Sequence, residues 1–245
     1  MKAIAIIPAR YASTRFPAKA LALIGGKPMI RLVYEAVLSC EIFSEVIVAT
    51  DSTEILNCVK SFGGKALMTS EHHLSGSDRI AETAKDLDAE IIVNVQGDEP
   101  FIDRDCLSSL LNVFKDESVR IASLMTRITD QSQLMDPNCV KVVTDISGNA
   151  IYFSRSPIPF NRDKADVIGY FRHIGVYAYR PEALFLFVSL PLGKLEQIEK
   201  LEQLRALENG IPIRMVETAY QGVGIDTPED LVSAEQLLIS QRAKS

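Results

Sequence analysis

Hydrophobic and polar positions follow two periods along the first half of the chain. Short apolar runs bounded by turn residues predict strands over Lys2–Ile7, Glu45–Thr50, Lys65–Met68, Glu90–Gln96 and Ile121–Thr126. Helical segments are predicted between them, over Pro28–Cys40, Ser52–Phe62, Ser77–Leu87 and Asp103–Phe114. Pro28 is tolerated in a first helical turn, and Gly63-Gly64 stops the second helix. Alternating strands and helices imply βαβ units: an α/β fold with a mainly parallel, Rossmann-like sheet flanked by helices.

The pattern changes after Met135. Val140–Asp145 and Ala150–Ser154, joined by Ser147-Gly148-Asn149, predict a β-hairpin. Ser156–Arg172 reads as a long loop, His173–Tyr179 as a strand and Pro181–Ser189 as a short helix. Lys194–Asn209 is expected to be one strong helix ended by Gly210, followed by a strand at Ile213–Glu217. Thr227-Pro228-Glu229-Asp230 opens a closing helix to Arg242, with an N-cap, a proline at the first position and acids in the first turn. No repeat, low-complexity segment or linker interrupts the chain. One domain over 1–245 is expected, with an inserted β subregion at 136–180.

The chain has 245 residues, 47% of them hydrophobic, enough for a core that needs no staples. Cys40, Cys58, Cys106 and Cys139 are widely separated and form no CxxC, which points to free thiols in a reducing cytoplasm. No apolar run approaches the ~20 residues needed to span a bilayer, and no signal-peptide layout precedes the first strand, so no membrane association is expected. A net charge of −6 argues against nucleic-acid binding. Against that background the first 31 residues carry six cations and no carboxylate.

Those cations draw attention to Ile4–Lys19. An apolar strand ends at Pro8, and a loop with Arg10, Arg15 and Lys19 follows. Such a loop brings N–H groups, guanidinium groups and an ammonium group around a phosphate chain, at the strand end where α/β folds bind nucleotides. The competing reading is a solvated loop with chance charges. Neither GxxxxGK[ST] nor GxGxxG is present, which lowers the case for P-loop kinases and nicotinamide enzymes.

Val95-Gln96-Gly97-Asp98-Glu99-Pro100 also follows a buried-type strand. Gly97 permits close backbone approach, Asp98 could hold magnesium on phosphate oxygens, and Gln96 offers an amide. The alternative is an ordinary turn whose acids cap the next helix. Asp226 is left over once capping explains Thr227, Glu229 and Asp230, and is either a turn residue or a second metal carboxylate. On the helix around Leu195–Leu207, Arg205 falls inside the apolar region and needs a partner, which is either substrate or a structural carboxylate. His72-His73 shows no metal spacing, and His173 alone reads as a hydrogen-bonded structural histidine.

Taken in order, Ile7–Arg15 with Lys19, Ser75–Arg79, Asn94–Pro100, Tyr152–Arg155, Arg172–Tyr177, Leu201–Arg205 and Gly224–Asp230 resemble the 3-deoxy-manno-octulosonate (Kdo) cytidylyltransferase family, over nearly the whole chain. The family's first loop usually reads Pro-Gly-Lys-Pro-Leu; here it is Pro17-Ala18-Lys19-Ala20-Leu21. The resemblance implies a nucleotide-diphospho-sugar transferase fold. It implies that CTP and Kdo give CMP-Kdo and diphosphate, for lipopolysaccharide biosynthesis. Pro8, Ala9, Arg10, Ser13, Arg15, Lys19 and Arg79 would bind the nucleotide, with Arg10, Arg15 and Lys19 neutralising its phosphates. Asp98 and Asp226 would hold Mg2+. Gln96, Arg155, His173, Tyr177, Glu202 and Gln203 would bind the sugar acid, with Arg155 as the carboxylate partner. Catalysis would fall to Arg10, Lys19, Asp98 and Asp226. The family is similar in being homodimeric, which makes the inserted β subregion the expected interface. A sibling enzyme activating sialic acid or a sugar 1-phosphate, or a nucleotide-binding protein without catalysis, would lack part of this set.

Overall fold

The computed structural model describes residues 1–12, 16–163, 169–222, 224–225 and 228–242, with side chains except at 228–229 and 239–242. The chain divides into two compact units, Met1–Leu107 with Gly222–Ser245, and Ser108–Gln221.

The first unit is built on β1 (Ala3–Ala9), buried at every position. An all-apolar strand of this kind survives only with both sides covered. A small hairpin, β2 (Leu23–Ile24) and β3 (Lys27–Pro28), follows it and leads into α1 (Met29–Ser39). The hairpin was not expected. Its turn is Gly25-Gly26, both at positive φ, which only a mirror-image turn requires. Then come β4 (Glu45–Thr50), α2 (Thr53–Ser61), β5 (Ala66–Met68), α3 (Gly76–Ala84) and β6 (Ile91–Asn94). β1 pairs in parallel with β4 on one side and β6 on the other, and β4 pairs in parallel with β5. The chain therefore winds outward through β4 and β5, then returns across β1 to add β6. That reversal opens a crevice at the C-terminal ends of β1 and β6, where open α/β sheets bind ligands. α4 (Arg104–Asn112) carries the chain onward.

The second unit contains β7 (Ile121–Arg127), α5 (Gln131–Met135), β8 (Lys141–Thr144), β9 (Ala150–Ser154), β10 (Phe171–Tyr179), α6 (Pro181–Ser189), α7 (Lys194–Glu199), α8 (Leu204–Glu208) and β11 (Arg214–Glu217). β8 and β9 form the expected hairpin, with Gly148 at φ 79 in its tip. β10 pairs antiparallel with β7 and β8, and β11 pairs parallel with β7. α5 was not expected; it is a short helix that Asp130 caps through the Ser132 N–H. α9 (Pro228–Arg242) belongs to the first unit.

The single helix expected over Lys194–Asn209 is a correction. It is two helices, α7 and α8, separated at Lys200, which adopts left-handed φ 55, ψ 46. Gly210 does end the second, at φ 69.

Candidate active site

Three loops meet at the C-terminal edge of the parallel strands of the first unit. The loop after β1 is closed by the Ala18 N–H donating to Tyr11 O at 3.0 Å. Ala18 takes left-handed φ 55, ψ 25, so the alanine adopts the backbone a glycine would favour. The following turn, Lys19–Leu21, presents Lys19, whose Nζ lies 2.7 Å from Asp98 Oδ2. Asp98 belongs to the loop after β6. That loop runs close to β1, because a Cβ on Gly97 would sit 3.0 Å from Pro8 O. Glycine is required there by close approach rather than by φ. Both side chains of the pair are partly open, at 17% and 24% exposure.

Beside it lies a pocket of about 200 Å³ lined by Pro8, Ala9, Arg10, His73, Leu74, Ser75, Gly76, Arg79 and Gln96. Its wall includes the start of α3. Ser75 accepts from the Asp78 N–H at 3.1 Å, and Asp78 accepts from the Ser75 N–H at 3.1 Å. This reciprocal cap fixes where the helix begins. Arg79 is buried, and its Nη2 lies 2.6 Å from Asp51. Arg79 is therefore a neutralised wall of the pocket, while Arg10 is exposed. Asp51 also accepts the Tyr11 N–H at 3.2 Å and so ties the basic loop to the end of β4. The sequence reading overlooked Asp51, His73 and Leu74. Asp51 was within reach, since it directly follows a strand whose end lies on the same edge. His73 and Leu74 carry no such signal.

Ser13, Arg15 and Asp226 lie outside the described residues. The Ile225 N–H donates to Asp98 O at 3.2 Å, which brings the residue before Asp226 beside the Asp98 backbone.

In the second unit, His173 and Tyr177 stand on β10 with ring centroids 5.3 Å apart. The Phe153 ring meets His173 edge-on at 5.1 Å. Burial pushes the His173 imidazole from 6.5 down to about 3, and burial raises the Tyr177 phenol well above its usual range. Both groups are thus neutral near pH 7. Gln203 is buried, and Glu202 lies 3.7 Å from Arg205. The partner of Arg205 is a structural carboxylate, Glu196, at 2.8 and 2.6 Å. Arg155 spends three of its five donors on the carbonyls of Glu199, Pro137 and Lys200. Its own N–H donates to the Glu199 carboxylate at 3.0 Å.

Parallel strands with a cation–carboxylate pair at their reversal point, and no P-loop, define a nucleotide-binding α/β protein suited to phosphoryl chemistry by positioning and charge. A family model described as cytidylyltransferase matches residues 4–216. A 3-deoxy-manno-octulosonate cytidylyltransferase of Flavobacterium johnsoniae is 54% identical over 241 residues, covering 97% of this chain and 99% of that protein. One from Solibacter usitatus is 49% identical over 237 residues, covering 96% and 94%. Among solved structures, a CMP:2-keto-3-deoxy-manno-octonic acid synthetase complexed with CTP superposes with a TM-score of 0.94 at 43% identity, covering 98% of this chain and 100% of that one. A 4-diphosphocytidyl-2C-methyl-D-erythritol synthase from Anaerococcus prevotii shares the fold alone, with a TM-score of 0.65 at 16% identity. The chain belongs to the cytidylyltransferase family, in its 3-deoxy-manno-octulosonate cytidylyltransferase branch.

Proposed function

We propose that this chain transfers the cytidylyl group of CTP to Kdo, giving CMP-Kdo and diphosphate, and that it serves lipopolysaccharide biosynthesis in the cytoplasm. The observation that carries the chemistry is the Lys19–Asp98 contact at 2.7 Å, a cation and a carboxylate from the loops after β1 and β6. The substrate pair is supported by full-length relatives that bear the name and by the neighbour that holds CTP.

The residues divide the work by charge. Lys19, Arg10 and Arg15 neutralise the triphosphate and the departing diphosphate, while Pro8, Ala9, Ser13 and Arg79 shape the nucleotide site. Gln96, Arg155, His173, Tyr177, Glu202 and Gln203 hold the sugar acid. With His173 and Tyr177 uncharged, these two side chains recognise hydroxyl groups through neutral hydrogen bonds. Two donors of Arg155 remain for the sugar's carboxylate beyond the three carbonyl bonds.

Asp98 has the chemistry to hold a magnesium ion. Asp98 offers hard oxygen, is partly open, and carries its hydrogen bond to Lys19 on Oδ2. Asp98 and Asp226 would hold the ion. When bound, Mg2+ supplies charge neutralisation at phosphate oxygens and lowers the pKa of the attacking sugar hydroxyl.

The test is diphosphate release from CTP, Mg2+ and Kdo, with parallel wells holding other nucleotides, N-acetylneuraminic acid, or EDTA. Release with CTP and Kdo alone, abolished by EDTA, is expected. Release with another sugar acid would overturn the substrate, and release in EDTA would overturn the metal.

A further inference from the structure

Ser123 is a fully buried serine in the middle of β7, and nothing in the reaction above uses it. Its hydroxyl oxygen lies 2.9 Å from His173 Nε2, 2.9 Å from Val176 O and 3.3 Å from Ile174 O. The two carbonyls reach it because the β10–β7 register shifts between Ile174 and Tyr177, which turns them out of the regular ladder.

A serine hydroxyl has one proton to give. The carbonyl oxygens can only accept. If the proton went to His173, the serine oxygen would face Val176 O at 2.9 Å with no hydrogen between them, a repulsive contact in a buried site. The Tyr177 phenol is also hydrogen-bonded to Ser123 and has a proton of its own to give, and a serine proton sent to it would leave the same bare contact with Val176 O. The serine proton therefore goes to a carbonyl, and the serine oxygen accepts from the imidazole. His173 must then carry its proton on Nε2. Nδ1 is left bare, and no described residue hydrogen-bonds to it. With the ring held neutral by burial, this tautomer is a permanent acceptor at Nδ1.

We propose that Ser123 is a positioning residue that locks His173 in the Nε2–H tautomer, so that Nδ1 accepts a hydrogen bond from a hydroxyl of the sugar acid. The recognition part rests on the reading that His173 contacts that substrate; the tautomer part does not. A carboxylate or carbonyl presented to Nδ1 would meet a lone pair, so the device favours a hydroxyl donor at that point.

Two readouts test it. In protein labelled with ¹⁵N-histidine, long-range nitrogen–proton correlation spectra should show His173 protonated at Nε2 and bare at Nδ1. Ser123→Ala should release the ring into a mixture of tautomers, and Ser123→Thr, which keeps the hydroxyl, should restore one. A bare Nε2 in the wild type, or an unchanged tautomer in Ser123→Ala, would overturn the proposal. In steady-state assays Ser123→Ala should raise KM for Kdo about tenfold, the size of one lost hydrogen bond, with KM for CTP unchanged. Equal KM for Kdo in a variant whose tautomer has shifted would overturn the recognition part. A wild type inert towards Kdo would instead sink the substrate reading, leaving the spectra to decide the tautomer.

Discussion

Two residues distinguish the loop after β1 from the Pro-Gly-Lys-Pro-Leu pattern of the family it resembles: alanine stands at 18 in place of glycine and at 20 in place of proline. Ala18 holds φ 55, a conformation that costs a side-chain-bearing residue about 1 kcal/mol or more relative to glycine. Ala18→Gly should therefore stabilise the protein by up to about 1 kcal/mol, raise Tm by about 2–4 °C, and leave turnover intact. A lower Tm would show that the loop tolerates the strain for another reason. His173 yields a second prediction at this scale. Its pKa falls from 6.5 to about 3 on folding, so between those values the unfolded chain binds more protons than the native one. Its contribution is complete above pH 6.5 and is lost as pH falls towards 3, with a slope of at most about 1.4 kcal/mol per pH unit. Urea midpoints measured at pH 7 and pH 5 should fall more for the wild type than for His173→Gln. Parallel declines would mean that other groups carry the acid sensitivity.

Among elements, the break between α7 and α8 has the largest consequence. In one continuous helix Glu196 and Arg205, nine residues apart, would lie about 180° apart around the axis. The left-handed Lys200 folds the second helix back, and the two side chains meet as a buried bidentate pair, 10% and 7% exposed. Arg205 also lies over the Phe187 ring at 5.1 Å, which ties α8 to α6. Removing one partner strands a buried charge. Glu196→Gln should cost about 3 kcal/mol in urea unfolding, whereas the double replacement Glu196→Met with Arg205→Met should restore most of it. Two additive losses would mean that the pair is not the source of the cost. The same break sets the positions of Glu202 and Gln203, so KM for Kdo in Glu196→Gln should rise along with the loss of stability.

For the whole chain, the question is assembly. In or beside the 136–180 segment, Met135, Ile146, Ile151 and Phe160 are exposed large apolar side chains. We expect a homodimer through this subregion. Sedimentation should give about twice the 27.1 kDa chain mass, and Ile151→Glu with Phe160→Glu should shift the mass towards the monomer. A wild type that sediments at the chain mass across micromolar concentrations would remove the dimer.

Much of this protein is written locally. Strand and helix types follow from short-range periodicity, as the match of α6 to Pro181–Ser189 and of β9 to Ala150–Ser154 illustrates. The basic loop and Gln96-Gly97-Asp98 were legible because a strand's end and its turn residues are neighbours in sequence. Contacts across large sequence separations were not. The Lys19–Asp98 pair spans 79 residues and the Arg79–Asp51 pair 28, and their existence depends on which strands lie side by side. Lys200 shows the same limit within one segment: helix periodicity continues through it, while the packing of Arg205 onto Phe187 and Glu196 and the bonds from Arg155 to the Glu199 and Lys200 carbonyls come from distant residues. Ser123 marks the far end of that scale, since a mid-strand serine has no distinguishing pattern and gains its role from a bulge in the opposite strand. The sequence by itself determined most of the element types, the charge placement and the family. Tertiary structure decided which charges are paired, where the long helix breaks and which nitrogen of His173 holds its proton, because each depends on atoms that meet only once the sheet has closed its pairings.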